Sequence, residues 1–314
     1  MAAKRRTSRT TGAAAATPTT AHHGEETAAT IVAFPDLYGP WKLVRRLGSG
    51  SWTEVYQARP ATCQADHPAD YAVKIPRPDR RGDPLVEELL QREFQVGRAF
   101  THAHVAPILS ANVEQPPYFL ALPLVVGSSL EDHLRRHQRL SPPVALWFVR
   151  QAAEGLTALH EHGWLHGDVK PSNLLVSAAG HVTLIDLGFA RELQQLASTE
   201  PPRTLAATPA YAAPEALDWQ QPPQAASDTY SLGITLFELL TGERPQPFTT
   251  IARDQQASQA DVRDWLPYAP RSLARLLHQM LAVEPQERPT DSALVEKLFE
   301  LEIATFHLRE RLAA

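Results

Sequence analysis

The sequence predicts an α+β fold in two unequal parts: a first part rich in short strands with one helix among them, then a mainly helical region. Three observations predict it. Short runs rich in β-branched and aromatic residues, at 41–47, 52–56, 71–75 and 118–122, crowd the first part of the chain, with a helical pattern at 84–100 among them. Two long segments further on, 141–163 and 227–240, carry apolar residues in helical arrangement. At 314 residues and 43% hydrophobic content the chain can bury a sizeable core, as two domains or one large two-lobed unit.

Composition narrows the function. A net charge of −5 and a sequence pI near 6.2 argue against a general nucleic-acid binder. The single cysteine, Cys63, excludes an internal disulfide and a cysteine-rich zinc site. It fits a reducing compartment, so a cytoplasmic location is expected. The thirteen histidines show no H-E-x-x-H or similar ligand spacing. The best apolar run, Tyr118 to Val126, is nine residues long and contains Pro123, so no membrane span is expected. There are no internal repeats, and nothing bears on oligomeric state.

The elements follow in order. Residues 1–34 are rich in Ala and Thr with a basic start (Lys4, Arg5, Arg6, Arg9) and lack apolar periodicity. They are expected to be a disordered low-complexity tail. An organelle transit peptide has the same texture, but an inert tail is preferred. Trp41 to Leu47 is a strand. Gly48-Ser49-Gly50 then turns, with Trp52 at the tip, into a second strand through Val55. Glycines let backbone N–H groups approach phosphate oxygens closely, although G-x-G also serves ordinary hairpins. Tyr71-Ala72-Val73-Lys74-Ile75 is a third strand, in which Lys74 is either an exposed edge residue or a paired functional one. The helix at 84–100 offers Glu87, Glu88 and Glu93 as partners. Tyr118 to Leu122 is another strand, followed by Pro123-Leu124-Val125. Ser141-Pro142-Pro143 opens a helix with an N-cap and proline in the first turn. Its apolar face is Val144, Trp147, Phe148, Ala152, Leu156 and Leu159, and Gly163 ends it.

That helix leads into the stretch with most chemistry, a polar loop from His166 to Asn173 between apolar Trp164-Leu165 and Leu174-Leu175-Val176. Asp168 can take a proton, Lys170 can neutralise phosphate charge, and Asn173 can ligate a hard cation through oxygen. Taken alone, a polar turn between two strands explains it equally well. Leu184 to Gly188 reads as the second limb of a hairpin, with Asp186 eighteen residues after Asp168. Its carboxylate can hold a metal ion beside Asn173. The segment 227–240 is apolar nearly all round and should be central, with Asp228 capping it and Gly242 ending it. Further helices are expected near 259–265, 270–282 and 291–311.

His166-Gly167-Asp168 with Asn173, then Asp186-Leu187-Gly188, resembles the protein kinase family, whose loops read H-R-D-x-x-x-x-N and D-F-G. Ala213-Pro214-Glu215 resembles the end of its activation segment. The resemblance implies a two-lobed protein-kinase-like fold over 38–303: an N-lobe of small antiparallel β-sheet with one helix at about 38–122, a hinge at 123–125 and a C-lobe at about 126–303, with 304–314 as a helix end. It implies ATP and Mg2+ as cofactors and phosphoryl transfer to serine or threonine of a protein substrate. Asp168 would receive or orient the hydroxyl proton, and Lys170 would stabilise the transferring phosphate. Asn173 and Asp186 would hold magnesium. The Gly48-Ser49-Gly50 backbone and Lys74 would hold the phosphates. Counting back nine residues from His102, as in the family's turn after this helix, selects Glu93 as the partner of Lys74, with Glu88 the alternative. Val55, Ala72 and Leu175 would sandwich adenine, with backbone groups of Pro123 and Val125 bonding it, Leu122 behind it and Ser129 near the ribose. Glu215 would pair with Arg288, and Asp228 would brace the catalytic loop. Lys170 and Thr208, whose hydroxyl could bridge Asp168 and Lys170, favour the serine/threonine class. The chain's texture is closer to bacterial members of the family than to animal ones.

Three positions depart from the pattern. Thr53 replaces the third glycine, Leu187 replaces Phe, and Gly167 replaces an arginine that in many relatives binds an activation-segment phosphate. Dependence on phosphorylation at Ser198, Thr199 or Thr204 is therefore expected to be weak. His-Gly-Asp also occurs in small-molecule phosphotransferases resembling aminoglycoside and choline kinases. Lys170, the Asp186 loop, Glu215 and Asp228 favour the protein-kinase type instead. The other rival is a pseudokinase, an ATP-binding scaffold without transfer. Retention of Lys74, Asp168 and Asp186 speaks against it.

Overall fold

The computed structural model describes residues 36–193, 208–218, 222–245, 262–264 and 266–308. The expected tail at 1–34, the hydroxyls of Ser198, Thr199 and Thr204, and most of the helix expected near 259–265 lie outside the described residues. Among the described residues, no helix is long and apolar enough to cross a membrane.

Alternating sequences build the first sheet. Its strands are β1 (Leu37–Tyr38), β2 (Trp41–Ser49), β3 (Thr53–Pro60), β4 (Tyr71–Pro76), β5 (Ser110–Asn112) and β6 (Phe119–Pro123). They pair antiparallel in the order β1-β2-β3-β4-β6-β5. In β3, Glu54, Tyr56 and Ala58 are buried while Val55 and Gln57 face the opposite, partly open side. Helix α1 (Pro84–Ala99) follows β4. Asp83 caps it by accepting from Leu85 N, Pro84 stands in its first turn, and Val86, Leu89, Leu90 and Val96 are buried with Glu93. Trp52 does not stand free at the turn tip. It packs against the cluster of Val86, Leu90, Val113 and Leu120, with the Arg80 guanidinium 4.9 Å from its ring centre.

The remainder is mainly helical. It runs β7 (Gly127–Ser129), α2 (Leu130–His137), α3 (Pro142–Glu161), β8 (Trp164–Leu165), β9 (Leu174–Ser177), β10 (Val182–Leu184) and β11 (Arg191–Glu192), then α4 (Pro214–Leu217), α5 (Ala225–Thr241), α6 (Arg271–Met280) and α7 (Asp291–Thr305). One core joins Leu146, Leu156 and Leu159 of α3 to Leu232, Leu236 and Phe237 of α5, and takes in Leu277 of α6 and Leu298 of α7. β9 and β10 pair antiparallel, and Gly155 of α3 lets their hairpin approach. A Cβ there would lie 2.5 Å from Leu184 Cδ1 and 2.9 Å from His104 O.

Several expectations are corrected. Asp228 does not cap its helix. The helix starts at Ala225, and Gln224 forms a reciprocal cap with Ser227, leaving Asp228 a turn inside. Ser141 occupies an N-cap position, but its side chain makes no capping bond. The apolar run at 184–188 leaves the sheet at Leu184, because Asp186 adopts a left-handed backbone (φ 66°) and Leu187–Phe189 form a 3-10 turn. The last helix ends at Thr305 and continues as the 3-10 turn Phe306–Leu308. Helix α2 was not foreseen. It buries one residue, Leu130, so its charged sequence carries little apolar signal.

Candidate active site

The register of the first sheet places the basic end of the site. Val55 stands opposite Lys74 on β4, so their side chains share a face, and Ala72, two residues from Lys74, shares it too. Lys74 Nζ lies 2.6 Å from Glu93 Oε2 of α1 and 2.8 Å from Asp186 Oδ1 beyond β10. Glu88 pairs with Arg92 on the surface instead. Burial opposes the Lys74 ammonium, but Asp186 and Glu93 together outweigh it and raise its pKa. Burial raises the Glu93 carboxyl, only partly offset by Lys74. Asp186, about a third exposed, is held below the ordinary carboxylate range because Lys74, with help from His166 and Lys170, overrides burial.

The loop His166–Asn173 supplies the opposite wall. The Asp168 carboxylate is buried and accepts at both oxygens. Oδ1 takes Thr208 N at 3.0 Å and Thr208 Oγ1 at 2.7 Å, while Oδ2 takes Lys170 Nζ at 2.6 Å and Asn173 Nδ2 at 3.1 Å. Lys170 Nζ also donates to Thr208 Oγ1 at 2.6 Å, so one hydroxyl bridges the aspartate and the lysine. Asn173 Nδ2 donates a second time, to Asp168 O. Two acceptors fix the amide, which makes Oδ1 the Asn173 atom available to a cation. Ile185 N bonds Asn173 O at 3.0 Å, tying the Asp186 turn to this loop.

Asp228 holds the loop from below. Its carboxylate accepts from His166 N at 2.8 Å and Gly167 N at 3.0 Å. Gly167 sits at φ 78°, where a side chain would be strained. Burial would raise the Asp228 carboxyl, but hydrogen bonding and charge from His160 hold it low. Glu215 and Arg288 form a bidentate pair at 2.6 and 2.9 Å, both buried, with Ser227 Oγ also donating to Glu215. Arg288 satisfies three backbone carbonyls as well: Ala226, Ala282 and Val283. These contacts overcome burial and hold the Glu215 carboxyl below its usual range.

Among the described residues, a Cβ built on Gly48 would meet nothing within 4 Å. Leu175 is partly exposed on β9 while its neighbours Leu174 and Val176 enter the core. Pro123 ends β6, and Leu124 N bonds Asp70 O. Ser129 does not stand ready for a ribose. Its hydroxyl donates to Asp132 Oδ2 and accepts from Asp132 N as the cap of α2, and the residue is buried. Sequence reasoning did not single out His160, which bonds Asp228 from α3, or Asp291, which bonds His160 from α7. No local motif marks them.

A buried lysine–glutamate pair on a small sheet, facing an Asp–Lys–Asn loop across an Asp-x-Gly turn, is the architecture of a protein kinase. Comparison with known proteins agrees: the family described as the protein kinase domain matches residues 41–300, and the chain belongs to that family. Relatives that it matches are named serine/threonine-protein kinases. Serine/threonine-protein kinase PknD of Mycobacterium tuberculosis is 32% identical over 69% of this chain and 32% of its own length. PknH of Mycobacterium bovis is 33% identical over 67% of this chain and 34% of its own. PrkC of Bacillus subtilis is 28% identical over 80% and 38% respectively. The chain thus spans about a third of the length of the curated relatives it matches.

The residues present fit ATP and Mg2+, which this family uses. Asn173 Oδ1 and the accessible Asp186 carboxylate are oxygen donors suited to a hard cation, and Mg2+ is ordinarily held by one or two carboxylates together with phosphate. The open backbone at Gly48 and the buried ammonium of Lys74 suit an anionic chain.

Proposed function

We propose that this chain transfers the γ-phosphoryl group of ATP to serine or threonine hydroxyls of protein substrates, in the cytoplasm, with its domain spanning 38–303 and the hinge at 123–125. The observation that carries the proposal is the double engagement of Lys74 by Glu93 and Asp186, a buried cation fixed between the two halves of the cleft. ATP supplies the phosphoryl group, and Mg2+ neutralises charge on its phosphates.

The chain's own residues position and balance charge. Lys74, steadied by Glu93, would grip the α and β phosphates, and the Gly48-Ser49-Gly50 backbone would cover them. Asn173 and Asp186 hold the metal. Val55, Ala72 and Leu175 would enclose adenine. The bond from Leu124 N to Asp70 O directs that N–H towards β4. The Pro123 carbonyl and the Val125 N–H then fall on the other edge of the extended chain, where adenine is bonded. Asp168 orients the incoming hydroxyl and receives its proton, while Lys170 steadies charge on the transferring group. Glu215–Arg288 and Asp228 hold these elements in place and touch no substrate.

The test is transfer from labelled ATP with Mg2+ to myelin basic protein, comparing wild type with Asp168→Asn. Phosphoserine or phosphothreonine from the wild type, reduced on the order of 10²- to 10⁴-fold in the variant, is the expected result. Wild-type transfer no greater than that of the variant would overturn the proposal, even if ATP still raised the melting temperature.

A further inference from the structure

Beneath the catalytic loop lies a buried ionic chain that the transfer roles above do not use. His160, on the last turn of α3, is almost wholly buried, with 5% of its side chain exposed. Its Nε2 lies 2.9 Å from Asp228 Oδ2 on α5, and its Nδ1 lies 2.9 Å from Asp291 Oδ2 at the first residue of α7. Among the described residues, these two carboxylates are the charged groups in contact with the ring. A neutral imidazole carries one N–H and can donate to only one of them. With a carboxylate at each nitrogen, the doubly protonated ring satisfies both. Asp291 is suited to this task, because the N-terminal turn of a helix favours a negative charge. Thr290 precedes it as the cap residue without a side-chain capping bond, and the Asp291 side chain turns to the histidine.

The chain continues upward. Asp228, whose Oδ2 accepts from His160, gives the same oxygen to His166 N and Oδ1 to Gly167 N. His166 Nδ1 in turn accepts from Asp168 N at 3.2 Å. A carboxylate as buried as Asp228 needs a compensating cation. His160 supplies that cation only while it is protonated on both nitrogens, and Asp291 is the group that favours that state from the far side.

We propose that Asp291 is a positioning residue for phosphoryl transfer: with His160 it holds Asp228, and through Asp228 the backbone of the loop bearing Asp168, in one fixed arrangement. The link to transfer rests on the kinase reading above, while the ionic chain does not. In keeping with the geometry, burial pushes the His160 ring towards neutrality, but its hydrogen bonds to Asp228 and Asp291 outweigh burial and raise its pKa to about 9. Without Asp291 the ring reaches neutrality at lower pH. Asp228 is then left buried beside an uncharged partner.

Two measurements test this on the full chain. The first follows the ring carbons of His160 by NMR in protein labelled at histidine, with His160→Gln assigning the signal, in wild type and Asp291→Asn. The second is the pH profile of kcat and KM for ATP with myelin basic protein. The expected result is a wild-type ring still doubly protonated at pH 7.5, and an Asp291→Asn ring that loses its proton at about tenfold higher proton concentration. The alkaline fall in kcat should move by the same factor, while KM for ATP stays put. A neutral wild-type ring at pH 7.5 would overturn the proposal without any variant. So would an unmoved alkaline limb in Asp291→Asn, even with a lower melting temperature, since that would make Asp291 merely structural. If the wild type transfers no phosphate at any pH, the kinase reading fails and the role in positioning goes with it. The NMR titration then still reports on the ionic chain.

Discussion

At Asp168 four donors converge on two oxygens: two from Thr208, one from Lys170 and one from Asn173. A carboxylate offers about four acceptor positions, so a substrate hydroxyl enters only by displacing one of them. Thr208 holds two of the four and also accepts from Lys170, which makes its hydroxyl the hub of this arrangement. Thr208→Ser keeps that hydroxyl and should retain most transfer activity. Thr208→Ala removes a hydrogen bond to a charged group, worth about 1.5–3 kcal/mol, and should lower kcat by roughly 10- to 150-fold. Equal rates for the two variants would mean that the reacting loop does not use this bridge. The Lys74 ammonium likewise serves two carboxylates, Glu93 and Asp186, so Glu93→Gln should leave Lys74 paired to Asp186 and raise KM for ATP. An unchanged KM would argue that Glu93 does not hold the lysine for phosphate.

The contact of α3 with the β9–β10 hairpin and the His104 backbone is a close constraint at the level of elements. Alanine usually improves a helix interior by up to about 1 kcal/mol over glycine. At Gly155 the clash decides otherwise, because His104 O is backbone and cannot rotate away from a new Cβ. Gly155→Ala should cost about 1–3 kcal/mol in urea unfolding; a gain in stability would show that the hairpin can retreat. Much of this architecture was legible in the sequence. Strands β2, β3, β4 and β6 and helices α1, α3 and α6 have strong apolar periodicity, α5 is apolar nearly all round, and the resemblance aligned the loops between them. What escaped notice was set by tertiary partners. Helix α2 buries one residue, and strands β7 and β11 are three and two residues long. His160 has partners 68 and 131 residues away, a separation that no local pattern reports. Asp228 was read as a cap because it falls near a helix start, yet Gln224 and Ser227 already fill that role.

For the whole molecule, the buried ion pairs set a pH window for stability. The carboxyls of Asp186, Glu215 and Asp228 have lowered pKa values, so their contribution is present above the ordinary range near pH 4 and is lost as pH falls through the depressed values. His160 is raised to about 9, so its contribution is complete below about pH 6.5 and is lost as pH rises through 9. The melting temperature should therefore plateau between roughly pH 4 and 6.5 and decline on either side. A flat profile from pH 6.5 to 9.5 would contradict the charged state of His160. Arg288→Ala strands Glu215 as a buried charge and should cost about 3–5 kcal/mol, measurable by denaturant titration.

The same pair has a consequence for biosynthesis. Glu215 and Arg288 are 73 residues apart, so a ribosome adding about 5–20 residues per second lays down the guanidinium roughly 4–15 seconds after the carboxylate. Until then Glu215 has no cation to enter the interior with, and the helical lobe cannot close over it. The apolar faces of α3 and α5 stand open for that interval, which makes them the stretch of nascent chain that a chaperone would meet.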